Sequence, residues 1–287
     1  MKISFLIIVT HLLITQVVTA ENLTFEEALK AKAIRYDVKS ETGLRRMFLK
    51  IKNNRKNKIK VAVESGRFFL EESGQYQPFV VARPVAIRLE AGEEREIWME
   101  GYCGNSGASS PKNNLKFNRT KMGPQLLCEV LQQMNEEKIV SKSLYQKVIW
   151  HFTNNHQLAS VCAQDLDSIT LKKTIQFICA KEKANPSWYS IEYANAESGD
   201  DLEFSGIPTQ IKGTLSFYNP QRETVSVELA NESGETVRVI QVHLGQPQGF
   251  ANLPLDLSLS KIPKGKYQVR VVNREGKSLK EWPLYAS

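Results

Sequence analysis

The chain has 287 residues, enough for about two domains at ~100–200 residues each. Hydrophobic residues at 41% and charged residues at 24% exclude wholesale disorder. Lys and Arg outnumber Asp and Glu by 38 to 31, for a formal charge of +7. The bases are interleaved with acids along the chain, so no nucleic-acid partner is indicated. The densest basic stretch, KIKNNRKNKIK over 50–60, contains the turn formers Asn53, Asn54 and Asn57 and reads as a solvated hairpin tip.

At the N-terminus, Lys2 precedes an apolar stretch from Ile3 to Val18, and Val18-Thr19-Ala20 supplies the small residues a signal peptidase reads. The stretch is shorter than the ~20 apolar residues of a membrane anchor. Residues 1–20 therefore read as a signal peptide, with no transmembrane segment later and a secreted or cell-surface location. Export changes how the cysteines read. Cys103, Cys128, Cys162 and Cys179 are even in number and lack CxxC spacing, which favours two disulfides over a metal site.

Thr24 and Glu27 mark a capping box before a short helix. Period-two alternation follows: Met47, Leu49 and Ile51, then Ile59, Val61 and Val63, with further short apolar runs up to Ile97-Trp98-Met99. Past a polar loop the period turns helical. Pro124 fits a first helical position, and Ser141 and Asp167 fit caps of two further helices. Residues 21–186 thus read as an antiparallel β-sandwich carrying three helices and all four cysteines. Twelve residues past the Asp167 cap, Cys179 is carried ~18 Å along its helix, which makes pairing with Cys162 awkward. The expectation is Cys103 bonded to Cys162 or Cys179, with Cys128 taking the other.

From residue 190 to 287 the period is two again, with seven or so strands and no cysteine. This reads as an immunoglobulin-like sandwich without the Cys…Trp…Cys core. The fold class is α+β, mainly β. Within this part Asn219-Pro220, Gly234 in Asn-Glu-Ser-Gly, Asp256 in Leu-Asp-Leu-Ser, and Gly265-Lys-Tyr267-Gln-Val-Arg270 occur in order. The series resembles the C-terminal sorting domain of bacterial type IX secretion cargo. That resemblance implies delivery to the bacterial envelope and the export machinery as a partner. In it, Asn219-Pro220 would open a strand.

No GxSxG elbow, HExxH or phosphate loop occurs, and no cofactor is indicated. His151 and His156 are five apart, off the i, i+4 spacing of a helical metal pair, and read as a surface pair at a helix end. Tyr102-Cys103 and Tyr145-Gln146-Lys147-Val148-Ile149-Trp150 resemble the two halves of bacterial surface thioester domains, with Val148 where the family has Ala. The resemblance implies that Cys103 and Gln146 could condense into an internal thioester able to capture a host amine. The competing reading of Cys103 is a disulfide.

The function read from the sequence is a non-enzymatic secreted or surface binding protein, its unknown protein or glycan ligand held by the N-terminal domain. A covalent thioester adhesin or an extracellular hydrolase is the alternative. N-terminal sequencing of exported protein is expected to begin at Glu21; a membrane-held chain beginning at Met1 overturns the leader.

Overall fold

The structure, a computed structural model, describes residues 20–41, 46–163, 165–194 and 204–286. All of the expected leader except Ala20 falls outside them. The N-terminal part contains β1 (Glu21–Thr24), α1 (Phe25–Lys30), β2 (Ile34–Glu41), β3 (Arg46–Asn53), β4 (Ile59–Val63), β5 (Arg67–Leu70), β6 (Phe79–Val81), β7 (Val85–Leu89), β8 (Glu94–Cys103) and β9 (Arg119–Met122). They form a three-stranded sheet, β1-β4-β7, and a six-stranded sheet, β2-β3-β8-β6-β5-β9. The capping box forms as expected: Glu27 N–H donates to the Thr24 hydroxyl and the Glu27 carboxylate accepts from Thr24 N–H.

The basic Lys50–Lys60 stretch is not a hairpin tip. β3 and β4 lie in different sheets, so the chain arches from one layer to the other. Both arms bury alternate residues: Met47, Leu49 and Ile51 on one, Ile59, Val61 and Val63 on the other. Facing each other across a sandwich, the two apolar stripes share one core; paired as a hairpin they would lie side by side. Asn53 holds the arch. It is fully buried, its amide nitrogen donating to the carbonyls of Asn57 (2.9 Å) and Glu90 (2.8 Å) while its oxygen accepts from Arg55 N–H.

Three helices follow: α2 (Gln125–Glu136), α3 (Lys142–Asn154) and α4 (Ser168–Glu182), with a single 3-10 turn at Leu158–Ser160 between the last two. Ser141 and Asp167 cap α3 and α4 through Leu144 N–H and Thr170 N–H. Part of the six-stranded sheet is covered on both faces. Phe69, Phe79, Val81 and Met99 point into the sandwich, and the alternate residues Phe68, Val80 and Tyr102 pack on the helices.

Among the described residues seven strands make the C-terminal part: β10 (Tyr189–Tyr193), β11 (Pro208–Asn219), β12 (Glu223–Asn231), β13 (Thr236–Gln246), β14 (Gly249–Ser258), β15 (Gly265–Asn273) and β16 (Ser278–Ala286). The orders β10-β11-β14 and β13-β12-β15-β16 give two antiparallel sheets over one core that includes Leu215, Phe217, Val227, Leu229, Val269 and Leu284. This is the mainly-β, sandwich-based α+β architecture that the periodicity indicates. Ala159 of the 3-10 turn joins this core, and Tyr189 donates to the Gln157 side chain at 3.2 Å. Pro283 is tolerated because β16 is an edge strand. No helix among the described residues is long and apolar enough to cross a membrane.

Arg67 ties the first domain together from the inside. Its side chain is fully buried, with Nε 2.8 Å from Glu64, Nη1 3.2 Å from both Glu26 and Thr120, and the guanidinium over the Phe25 ring. The Arg67 hydrogen bond, helped by Lys30, holds the Glu26 carboxyl below its ordinary range. Arg67→Ala is expected to cost about 3 kcal/mol, the lower end for breaking a buried pair because both acids keep some solvent. Urea denaturation should show a lower midpoint at unchanged slope.

Candidate functional site

The place where β8 ends generates the site. β3 pairs with β8 only as far as Arg46 opposite Glu100, so beyond that point one edge of β8 has lost its neighbour among the described residues. Gly104 N–H turns to the Pro78 carbonyl on the β6 side. By strand alternation the Cys103 peptide groups face the vacated edge, where two buried polar groups need partners. Gln146 of α3 supplies both. Cys103 N–H donates to Gln146 Oε1 at 3.0 Å, and Gln146 Nε2 donates to the Cys103 carbonyl at 2.7 Å. Both residues are buried. The pair singled out in the sequence is therefore brought together, through the Gln146 amide and the Cys103 backbone.

The same helix face continues the strap. Gln146, Trp150 and Asn154 recur every fourth residue and so lie on one side of α3. Asn154 accepts from Ser106 N–H at 3.1 Å and donates to Asn105 at 3.0 Å. The Ser106 hydroxyl meets His156 Nε2 at 2.9 Å. Asn105, Ser106 and Asn154 were not identified from the sequence; the four-residue spacing from Gln146 was the available signal. Tyr102 and Tyr145 stack their rings at 5.6 Å beside the pair, and burial pushes both phenols up. A cavity of about 610 Å³ opens next to the strap, with Gly104, Asn105, Phe152, Asn154, Phe68 and Lys121 in its wall.

The expected disulfides are not formed: no bond joins Cys103, Cys128, Cys162 and Cys179 to one another. Each is placed by separate neighbours. Cys103 sits at the seam of β8 and α3, and Cys128 on α2 packs against Gly66, where a Cβ would collide with the sulfur. Cys162 lies beyond the 3-10 turn with its thiol toward the Ile191 carbonyl, and Cys179 is buried on α4. Burial raises the thiols of Cys128 and Cys179.

The two histidines are half-buried and not a surface pair. His151 Nδ1 lies 2.6 Å from the His156 carbonyl and its Nε2 3.0 Å from Glu182. Together they close the end of α3, where the chain turns through left-handed Asn155. No group of three or more His, Cys, Asp or Glu among the described residues could hold a metal.

The sorting-type residues spread over the second sandwich and converge on no single site. Asn219 closes β11 and does not open a strand; it is buried, donating to the Pro247 carbonyl at 2.9 Å. Pro220 begins the turn to β12, and Gly234 takes the positive φ expected of it, 83°. Asp256 accepts from Gln210, Gly265 starts β15, Tyr267 donates to the Pro263 carbonyl at 2.8 Å, and Arg270 pairs with Glu228 at 3.1 Å.

No protein-family model matches the chain, and no curated protein matches it. Among solved structures, a β-glucosidase from Kluyveromyces marxianus aligns at 10% identity over 86% of this chain, with a TM-score of 0.21. The match spans 45% of that chain's length, and a likeness so low carries no argument about fold or activity.

His156 gives the site a pH dependence. Burial, with the neighbouring His151 charge, holds its imidazole below the ordinary 6.5. The unfolded chain therefore takes up the proton more readily than the folded one, and stability falls as pH drops through and below 6.5. Thermal unfolding is expected to come earlier at about pH 5 than at about pH 7, and His156→Asn should reduce that difference.

Proposed function

We propose that this chain is an exported surface binding protein whose N-terminal domain attaches covalently to its partner through a thioester between Cys103 and Gln146. The observation that supports this reading is the double hydrogen bond between the Gln146 carboxamide and the Cys103 peptide. It fixes the Gln146 carboxamide against the backbone of Cys103, on a strand and a helix in a buried site, and proximity on rigid elements favours such a reaction.

The Cys103 sulfur adds to Gln146 Cδ, and negative charge gathers on Oε1. That oxygen already accepts from Cys103 N–H, a donor placed as in an oxyanion hole. Nε2 then leaves as ammonia with the thiol proton, giving an S–acyl bond. Burial keeps water from the thioester. A partner amine would displace the sulfur, forming an amide to Gln146 and restoring the thiol; the neighbouring cavity comes as near as Gly104. The act happens once per chain, so the protein is a binder and not a turnover enzyme. The C-terminal sandwich is assigned, in the same reading, the sorting role its sequence resembles.

Intact mass spectrometry decides the matter. The mature protein is expected to be lighter than its sequence by about 17 Da, one ammonia. Methylamine should add to Gln146, and neither change should occur in Cys103→Ala or Gln146→Ala. A full sequence mass with no methylamine uptake would leave Gln146 as a structural cap of the β8 edge and refute the covalent reading.

A further inference from the structure

Lys147, the neighbour of Gln146, leaves the seam and reaches the segment after the 3-10 turn. Its Nζ lies 3.2 Å from Cys162 Sγ and 2.7 Å from the Cys162 carbonyl oxygen. The amine is thus held to one residue by two contacts. Cys162 is only half-buried and lines a cavity of about 480 Å³ with Leu158, Ala163, Leu171 and Tyr189. A small oxidant has access to the sulfur, and the amine is already beside it.

We propose that Lys147 and Cys162 are a modification site, where oxidation builds a covalent Nζ–O–Sγ bridge. The oxidant is dioxygen, which an exported protein meets. One thiol, one neutral amine and one dioxygen give the bridge and one water. The thiol S–H and one amine N–H bond break, S–O and N–O bonds form, and both hydrogens leave in the water with the second oxygen atom. Sulfur and nitrogen each lose two electrons, and dioxygen takes the four. The 3.2 Å contact is non-bonded, and the two atoms draw together as the oxygen enters between them.

The bridge would fasten α3 to the segment leading out of the helical block. Cys162 Sγ also lies 3.8 Å from the Ile191 carbonyl of β10, so the fastening falls at the junction of the two domains. It is independent of the thioester, whose loss of ammonia is a separate mass change.

The test uses the full mature chain, aerated and then digested without reduction. No Lys or Arg stands between Lys147 and Cys162, so the expected tryptic product is the single uncut peptide 143–172, about 14 Da heavier than its sequence. Trypsin should fail to cut after Lys147 until dithiothreitol opens the bridge, when renewed digestion should give the separate peptides 143–147 and 148–172. Lys147→Arg keeps the positive charge and is expected to yield no linked peptide, its Cys162 instead gaining oxygen in steps of about 16 Da. Near-ultraviolet circular dichroism confirms that the variant is folded. If the wild-type Cys162 peptide shows only the 16 Da steps, remains unmodified, or links to another cysteine, the bridge is overturned.

Discussion

A β-strand that outruns its neighbour leaves backbone groups that cannot stay unpaired in a protein interior. Among the described residues β8 does this after Glu100 on its β3 side, and the helical block supplies the remedy. Gln146 is the one side chain type, with Asn, that copies a peptide group, offering an acceptor and a donor in one plane. Seating it against Cys103 determines where α3 lies on the sheet and how it is rotated. The rotation in turn brings Asn154 to the loop at Asn105 and Ser106, and carries Lys147 out to Cys162.

The sheet that bears this seam is under load from both sides. Phe69 and Phe79 fill the sandwich, while Phe68, Val80 and Tyr102 meet the helices. Strands buried on both faces leave little room for movement, since core side chains pack at near-crystalline density. The buried polar residues Asn53 and Arg67 act at the rim of the same core, where they turn the chain between layers and hold α1 against β5. A rigid sheet and a helix pinned to it are what a reaction between two side chains requires. The apolar surroundings also disfavour entry of water.

The second sandwich contributes differently. Its core is complete apart from Ala159 and the Gln157–Tyr189 contact, and its sequence motifs serve turns and edges. Asn219 satisfies a crossing loop, Gly234 permits a hairpin, and Arg270 pairs with Glu228 on the neighbouring strand. The helical block stands between the two parts, packing on the six-stranded sheet on one side and, through Ala159, joining the core of the second sandwich on the other.

Local signals were legible without any structure because they depend on residues close in the chain. Thr24 with Glu27, Ser141 and Asp167 announced helix starts, and the stripes Met47-Leu49-Ile51 and Ile59-Val61-Val63 announced buried strands. Which strands pair was not legible there. The Asn-rich segment after Lys50 suits a hairpin or an arch equally well by composition, and only the shared core between the two stripes selects the arch. The cysteine count invited disulfides, yet bonding depends on distances that no spacing encodes, and packing distributes the four sulfurs among separate neighbours. The nearness of Cys103 to Gln146 was readable only as a resemblance between two short segments 43 residues apart. Tertiary structure decided it, because the Cys103 peptide groups, past the last described β3 partner of β8, take their bonds from the amide that α3 carries.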